Sequence, residues 1–464
     1  MASLQNTASV APIGESLHVD TLLDTPPLKP VQYLVFVACG LVALLDGMDS
    51  QSIGVAGPMM AGDLHMKMAQ FTPALSSGLL GAAIGAMFFG GIADRFGRRP
   101  VLIFATTLFG IFTLATALPT SFAGLVALRF IAGLGLGGVT PCFITLSAEF
   151  APTRYRTAMA AFLWAAYPLG NAVGGFTSAF VITHSTWHMV FLVAGLPTMV
   201  LSLLMLLFLP ESLRYLVARQ HDRPSAADEK VIQRLARRFD PALGAEPVSI
   251  VGPILAEARK RGFIESLSVL FVEKRALGTI MLWTVLYMGF ATTTVMVLMS
   301  PTIFRADGLS LGVAGRLVGI FSICAMLGMA VAGRLVQKFG PRLALVPTFW
   351  IGAAFLALLG HFQDPIMLGG IMAIIGLSAP LAVAGGIGLA AIFYPTEIRS
   401  SGVGWGMGLG RSGQVCSPLL IGLMLSLSWT PDHILMVMAG APFIGGLAIL
   451  LLAGSLRHGA EQAR

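Results

Sequence analysis

Twelve apolar runs, each close to the roughly 20 residues that a helix needs to cross a bilayer, dominate this chain. They lie near 32–58, 70–92, 100–118, 122–148, 157–181 and 188–209, then near 275–300, 311–336, 343–361, 365–392, 400–427 and 432–456. A polar segment from Pro210 to Lys274 separates the two sets of six. Charged residues make up only 11% of the chain, against about 25% in soluble domains, and mean hydropathy is +0.83. The expectation is an all-α membrane protein of 12 transmembrane helices in two six-helix halves. Its expected layout is a tail over 1–31, a first half over 32–209, a linker over 210–274, a second half over 275–456 and a tail over 457–464.

The first 31 residues are polar, with Lys29 as their one basic residue. They lack the charged n-region and short apolar core of a cleaved signal peptide, so the first apolar run is expected to be retained. Lys and Arg set the orientation. With both termini cytoplasmic, that side holds 24 of the 29, and the other face only Lys67, Arg305 and Arg316. This is the positive-inside pattern of a multi-pass inner-membrane protein. The net charge of +7 is thus an orientation signal, and no nucleic-acid partner is expected. Cys39, Cys142, Cys324 and Cys416 fall in apolar runs without metal-ligand spacing, and read as small core residues.

The halves repeat. "GGIADRFGRR" begins at Gly90 and "GRLVQKFGPR" at Gly333, 243 residues apart; "PTRYRT" at Pro152 and "PTEIRS" at Pro395 keep the same offset. Each pair occupies equivalent loops of the two halves. A parallel repeat of this kind is the arrangement of rocking transporters, with the site at midplane between the halves.

At these residues the chain resembles the major facilitator superfamily over nearly its whole length. The pattern G-x-x-x-D-[RK]-x-G-R-[RK] stands as Gly90, Asp94, Arg95, Gly97, Arg98 and Arg99. In the second copy Gln337 replaces the acid and Pro341 the first Arg of the closing pair. Within the superfamily the chain is similar to the aromatic acid:proton symporters. The residues that carry this are Asp46, Gly47 and Asp49 of D-G-x-D, "RFIAGLGLGG" from Arg129, and "SAEFAPTRYR" with Glu149. "PLGNAVGG" from Pro168 and "YPTEIRSSGVGWGMGLGR" ending at Arg411 complete the match. "PESLRY" after the sixth run is shared with sugar porters and discriminates little. The resemblance implies proton-coupled import of a monocyclic aromatic carboxylate such as a hydroxybenzoate, or of a related acid such as muconate.

Intramembrane charges are costly and mark function. With a helix rise of about 1.5 Å per residue, Asp46 lies roughly 21 Å and Asp49 roughly 25 Å from the cytoplasmic edge, and Arg129 roughly 20 Å. Arg129 and Asp46 therefore share a depth, and Arg411 lies roughly 16 Å deep. A desolvated carboxyl that gains and loses an Arg neighbour can load and release a proton. Asp46, Asp49 and Arg129 are therefore the expected proton-coupling residues; a static ion pair that fixes helix packing, or Asp49 simply reaching the outer vestibule, is the competing reading. Arg411 has no acid in its own span, and a guanidinium matches a carboxylate with two parallel hydrogen bonds. It is the expected substrate anchor, unless it pairs with a first-half acid and serves as a gate.

An aromatic ring needs apolar or stacking walls. Trp164, Tyr167 and Asn171 share one helical face at i, i+3 and i+7, Trp283 and Tyr287 another, and Trp405 is a further candidate; ordinary packing competes for each. Gly90, Asp94, Arg95, Gly97, Arg98, Arg99, Glu149, Arg156, Glu397 and Arg399, with Arg154 nearby, are expected to form an ion-pair clasp that closes the cytoplasmic side. Positive-inside charge alone would place most of them there as well. His184 and His188 flank an outer loop and receive no proton role. No H-E-x-x-H and no G-x-x-x-x-G-K-[ST] is present, so neither enzyme, cofactor nor metal is expected, and energy must come from an ion gradient. The expected partners are a small aromatic carboxylate, protons and the lipid bilayer, with the chain acting as a monomer. Transport of another organic acid or a sugar, export, and a membrane sensor stay open at this point.

Overall fold

Lipid offers the backbone no hydrogen-bond partners, so each crossing must satisfy its own amides within a helix. The computed structural model describes residues 17–118, 121–222, 224–240, 243, 250–251, 267–272, 275–394 and 398–462. Each of the twelve apolar runs lies on a helix. The first half is built from α1 (Pro30–Asp63), α2 (Met68–Phe96), α3 (Arg98–Ala115), α4 (Phe122–Phe150), α5 (Arg156–His184) and α6 (Trp187–Phe208). The second begins with α7 (Ala276–Ala306), which carries a π-helical turn at Val295–Met299. A single helical run, Leu311–Leu359, breaks at Gly340 into α8 (311–339) and α9 (341–359). Then come α10 (Pro365–Phe393), α11 (Arg399–Ser426) and α12 (Pro431–Met438 with Gly440–Gln462). Nine stretches among the described residues are apolar and long enough to span, with Leu311–Leu359 counted once; α5 and α11 complete the set.

The repeat reaches down to the backbone. Gly97, between α2 and α3, has φ 108°, and Gly340, between α8 and α9, has φ 77°. These left-handed turns favour glycine because it has no Cβ to clash. Gly97 is further constrained, since a Cβ there would lie 2.3 Å from an oxygen of Glu211.

At the end that carries both termini, here the basic end, the connecting segment is structured. Helices Leu213–Asp222 and Ala226–Phe239 pack beneath the first half. In the latter, Ile232, Leu235, Ala236 and Phe239 are buried, the i, i+3, i+4, i+7 stripe of an amphipathic helix. The N-terminal segment joins them. Strand β1 (Leu17–His18) pairs in parallel with β2 (Ile250–Val251), Leu17 opposite Ile250. Val19, Leu22 and Leu23 enter the same core, and Asp20 pairs with Arg214 at 2.6 Å. Gln32, fully buried, donates to the carbonyls of Leu23 and Phe150.

The halves meet at the opposite end. Here α5 packs on α8 with Gly175 against Gly315, and α1 passes α7 with Gly54 against Leu298. The Ser76 hydroxyl on α2 donates to the Val415 carbonyl on α11 at 3.1 Å. Between the halves, toward the basic end, they enclose a cavity.

Candidate functional site

The cavity has a volume of about 180 Å³, below the roughly 300–1,000 Å³ of drug-sized pockets; it suits a small molecule. Both halves line it. Its polar wall comes from Asp46 and Ser50 on α1, Arg129 on α4, Tyr167 and Asn171 on α5, and Arg411 and Gln414 on α11. Phe290, Val297, Phe321 and Met329 supply apolar surface. Val297 and Leu298 lie in the π-helical turn of α7, the kind of helix irregularity often found at functional sites.

The D-G-x-D segment shows why two acids can occupy one membrane helix. A Cβ on Gly47 would lie 2.1 Å from the Tyr167 carbonyl oxygen, so glycine alone lets α1 touch α5 there. This contact sets the rotation of α1. Asp49 is fully buried and Arg129 nearly so. The Arg129 guanidinium donates to both carboxylate oxygens of Asp49, at 3.3 and 2.8 Å. The Thr113 hydroxyl on α3 donates to the same carboxylate at 2.9 Å. Three helices of the first half are thereby pinned together, with Asp49 and Thr113 behind the cavity wall and Arg129 at its edge. Asp46 does line the cavity, with Ser50 one turn along α1, and Arg411 attracts it across from the second half.

Depth alone had placed Arg129 level with Asp46, but its partner is Asp49. A step of three residues rises about 4.5 Å and rotates by about 60°, enough to send one acid between helices and leave the other at the cavity. Asp49→Asn leaves the Arg129 guanidinium buried without its counter-charge, a loss of about 3–5 kcal/mol. The expected outcome is a clearly lowered melting temperature in detergent, which Asp46→Asn does not produce. An unchanged melting temperature would contradict the bracing role.

Of the aromatic candidates, Tyr167 lines the cavity, together with Asn171 one turn along α5. Tyr287, Trp283 and Trp405 do not line it. Tyr287 lies against Gly413 and Cys416 of α11. Trp283 meets Phe271 edge-on at 5.4 Å, and it packs with Trp405 into the second half's core near the basic end. Helical spacing identifies residues that share a face, but not which neighbour that face meets. Phe290, one turn beyond Tyr287, reaches the cavity instead. The side chain of Trp164 lies outside the described residues. Ser50, Gln414 and Ser322 were not anticipated; Ser50 at i+4 from Asp46 and Gln414 at i+3 from Arg411 were within reach of the same facial argument.

The loop motif builds a network within the first half and the start of the linker. Arg98, buried, pairs with Asp94 at 3.0 Å and Glu149 at 3.2 Å and lies over the Tyr215 ring. Arg99 donates to the carbonyls of Leu209 and Leu206 at the end of α6. Glu211 accepts from the backbone amides of Arg98 and Arg99, so it caps the start of α3. The Tyr215 hydroxyl donates to the Arg95 carbonyl, while Arg95 itself is exposed beside Phe96. "PESLRY" is thus the docking partner of the Gly90–Arg99 motif. Gly90 lies near Pro141 of α4. Among the described residues no ion pair of this network crosses to the second half, and Arg334, Lys338 and Arg342 there make none. Glu397 lies outside the described residues, as do the side chains of Arg156 and Arg399.

Asp94 is exposed, and an exposed i,i+4 pair contributes at most about 1 kcal/mol. Asp94→Asn should therefore leave membrane abundance unchanged while lowering the transport rate several-fold, whereas Gln337→Asp is tolerated. Equal effects of the two substitutions on rate, or none, would contradict an asymmetric role for the two copies.

Comparison with known proteins agrees with this architecture. The chain matches the Major Facilitator Superfamily over residues 39–307 and 281–463. It is 32% identical to the 4-hydroxybenzoate transporter PcaK of Pseudomonas aeruginosa, over 96% of this chain and 98% of that one. It is also 32% identical to the gallate transporter of Pseudomonas putida, over 95% and 96%. Among solved structures, a bacterial homolog of the human lysosomal transporter Spinster, inward-facing and occupied, superposes with TM-score 0.71 at 14% identity, over 92% of this chain and 98% of that one. The D-xylose-proton symporter gives TM-score 0.65 at 19% identity, over 90% and 97%. Two six-helix repeats around a cavity lined by both, the loop motif and near full-length matches lead to one assignment: the chain belongs to the Major Facilitator Superfamily.

Proposed function

We propose that this protein is a proton-coupled symporter that imports a small monocyclic aromatic carboxylate by alternating access. One observation carries the reading: Arg411 from the second half faces Asp46 from the first across a small, largely apolar cavity. While Asp46 is ionised, it occupies the guanidinium. Protonation releases Arg411, and a substrate carboxylate takes its place with two parallel hydrogen bonds. The aromatic ring rests on the apolar wall and on Tyr167. Rocking of the halves then carries proton and anion together, and loss of the proton lets Asp46 recapture Arg411 and expel the substrate. Asp49 and Arg129 brace the helices that position Asp46.

The names of the 4-hydroxybenzoate and gallate transporters support a hydroxylated aromatic acid as the substrate. The basic loops support an inner-membrane location with both termini cytoplasmic. In that orientation the closed end is external, and the cavity lies toward the cytoplasm. The protein acts as a monomer in the bilayer, since the site is complete within one chain. The test is uptake of a panel of labelled benzoates into proteoliposomes with an alkaline interior. Accumulation that collapses on addition of a protonophore is expected. Downhill equilibration without accumulation would overturn proton coupling, and no uptake of any benzoate would overturn the substrate class.

A further inference from the structure

Two buried polar side chains at the cavity have an atom with no partner: Asn171 through Oδ1 and Ser322 through Oγ. Both line the cavity, and their residues are only 2% and 1% exposed. They come from opposite halves, Asn171 from α5 and Ser322 from α8. These helices pack against each other, with Gly175 against Gly315 and the Phe176 ring against Gly319. Asn171 lies one turn below Gly175, and Ser322 one turn below Gly319, both toward the basic end. The pair thus flanks the seam between the halves, directly beneath its closure.

Buried polar atoms without partners are rare and destabilising, and two at one seam point to a ligand group that completes them. The chemistry of the pair restricts that group. An amide oxygen only accepts, whereas a serine hydroxyl donates or accepts. A carboxylate brought to Asn171 Oδ1 would set acceptor against acceptor. A ring hydroxyl fits both positions, since it can donate to Asn171 Oδ1 and accept from Ser322 Oγ.

We infer that Asn171 and Ser322 form a hydroxyl-reading subsite that holds a phenolic hydroxyl of the substrate between the two halves. This rests on the aromatic-carboxylate reading above and adds the feature that distinguishes ring substituents. The carboxylate goes to Arg411 and the hydroxyl to the α5–α8 seam. The bound hydroxyl bridges the halves, so the closed seam and a hydroxylated ring stabilise each other.

The test compares initial uptake of labelled benzoate, 3-hydroxybenzoate and 4-hydroxybenzoate by wild type, Ser322→Ala and Asn171→Leu in proteoliposomes. Wild type is expected to favour a hydroxylated ring over benzoate in kcat/KM. Ser322→Ala should reduce that preference about 2- to 12-fold, the worth of one neutral hydrogen bond. Its benzoate uptake should fall less than its uptake of either hydroxylated acid, and its membrane abundance and melting temperature report correct folding. Asn171→Leu should erode the preference in the same direction. Wild type that transports all three acids without preference would overturn the subsite while leaving the aromatic-carboxylate reading intact. A preference unchanged in Ser322→Ala, or an equal loss for all three acids, would do the same. Failure of wild type to transport any of the three would instead sink the underlying reading.

Discussion

Asp46→Asn abolishes uphill accumulation driven by a pH gradient, while substrate counterflow survives in part. Asparagine keeps the size and hydrogen-bonding shape of aspartate but neither gains nor loses the proton. The site then resembles the protonated carrier permanently: Arg411 is free, the substrate carboxylate binds, and exchange of one substrate for another continues. Net transport stops, because no ionised carboxylate remains to recapture Arg411 and expel the substrate. Asp46→Glu retains a titrating group on a longer stem and should keep a fraction of the activity. The measurement is pH-driven uptake and counterflow in parallel, normalised to protein in the membrane. Full accumulation by a correctly inserted Asp46→Asn protein would exclude Asp46 as the proton site.

Arg411→Lys raises the apparent KM by about 10- to 150-fold, the range for loss of one charge-assisted contact worth about 1.5–3 kcal/mol. Lysine keeps the positive charge but loses the planar fork that meets a carboxylate with two parallel bonds. The same substitution weakens the hold on ionised Asp46, so the pH dependence of uptake should change along with KM. A neutral amide analogue of the substrate should compete poorly against wild type. Should the amide compete as well as the acid, Arg411 is not the carboxylate anchor.

Much of the architecture was readable along the chain because lipid permits few solutions. A stretch of about 20 apolar residues has little choice but to become a helix, so α1 to α12 lie where the hydropathy runs predicted them. The 243-residue offset of the loop motifs reappears in the paired turns at Gly97 and Gly340. The intramembrane charges were equally conspicuous, since an apolar run makes each one stand out. This contrast singles out Asp46, Asp49, Arg129 and Arg411.

Their pairing was not readable. Helical rise assigns a depth to each side chain, but partners depend on rotation about the helix axis and on which neighbour packs there. Gly47 against Tyr167 sets that rotation for α1, through a backbone contact between residues 120 positions apart in sequence. It turns Asp49 to Arg129 and Thr113 and leaves Asp46 facing Arg411. The same limit removed Trp283, Tyr287 and Trp405 from the cavity wall and brought in Ser50, Gln414 and Ser322. Local sequence dictates helices, because their hydrogen bonds close within four residues. The cavity and its ion pairs form only where side chains from distant helices converge, so the packed halves alone reveal them.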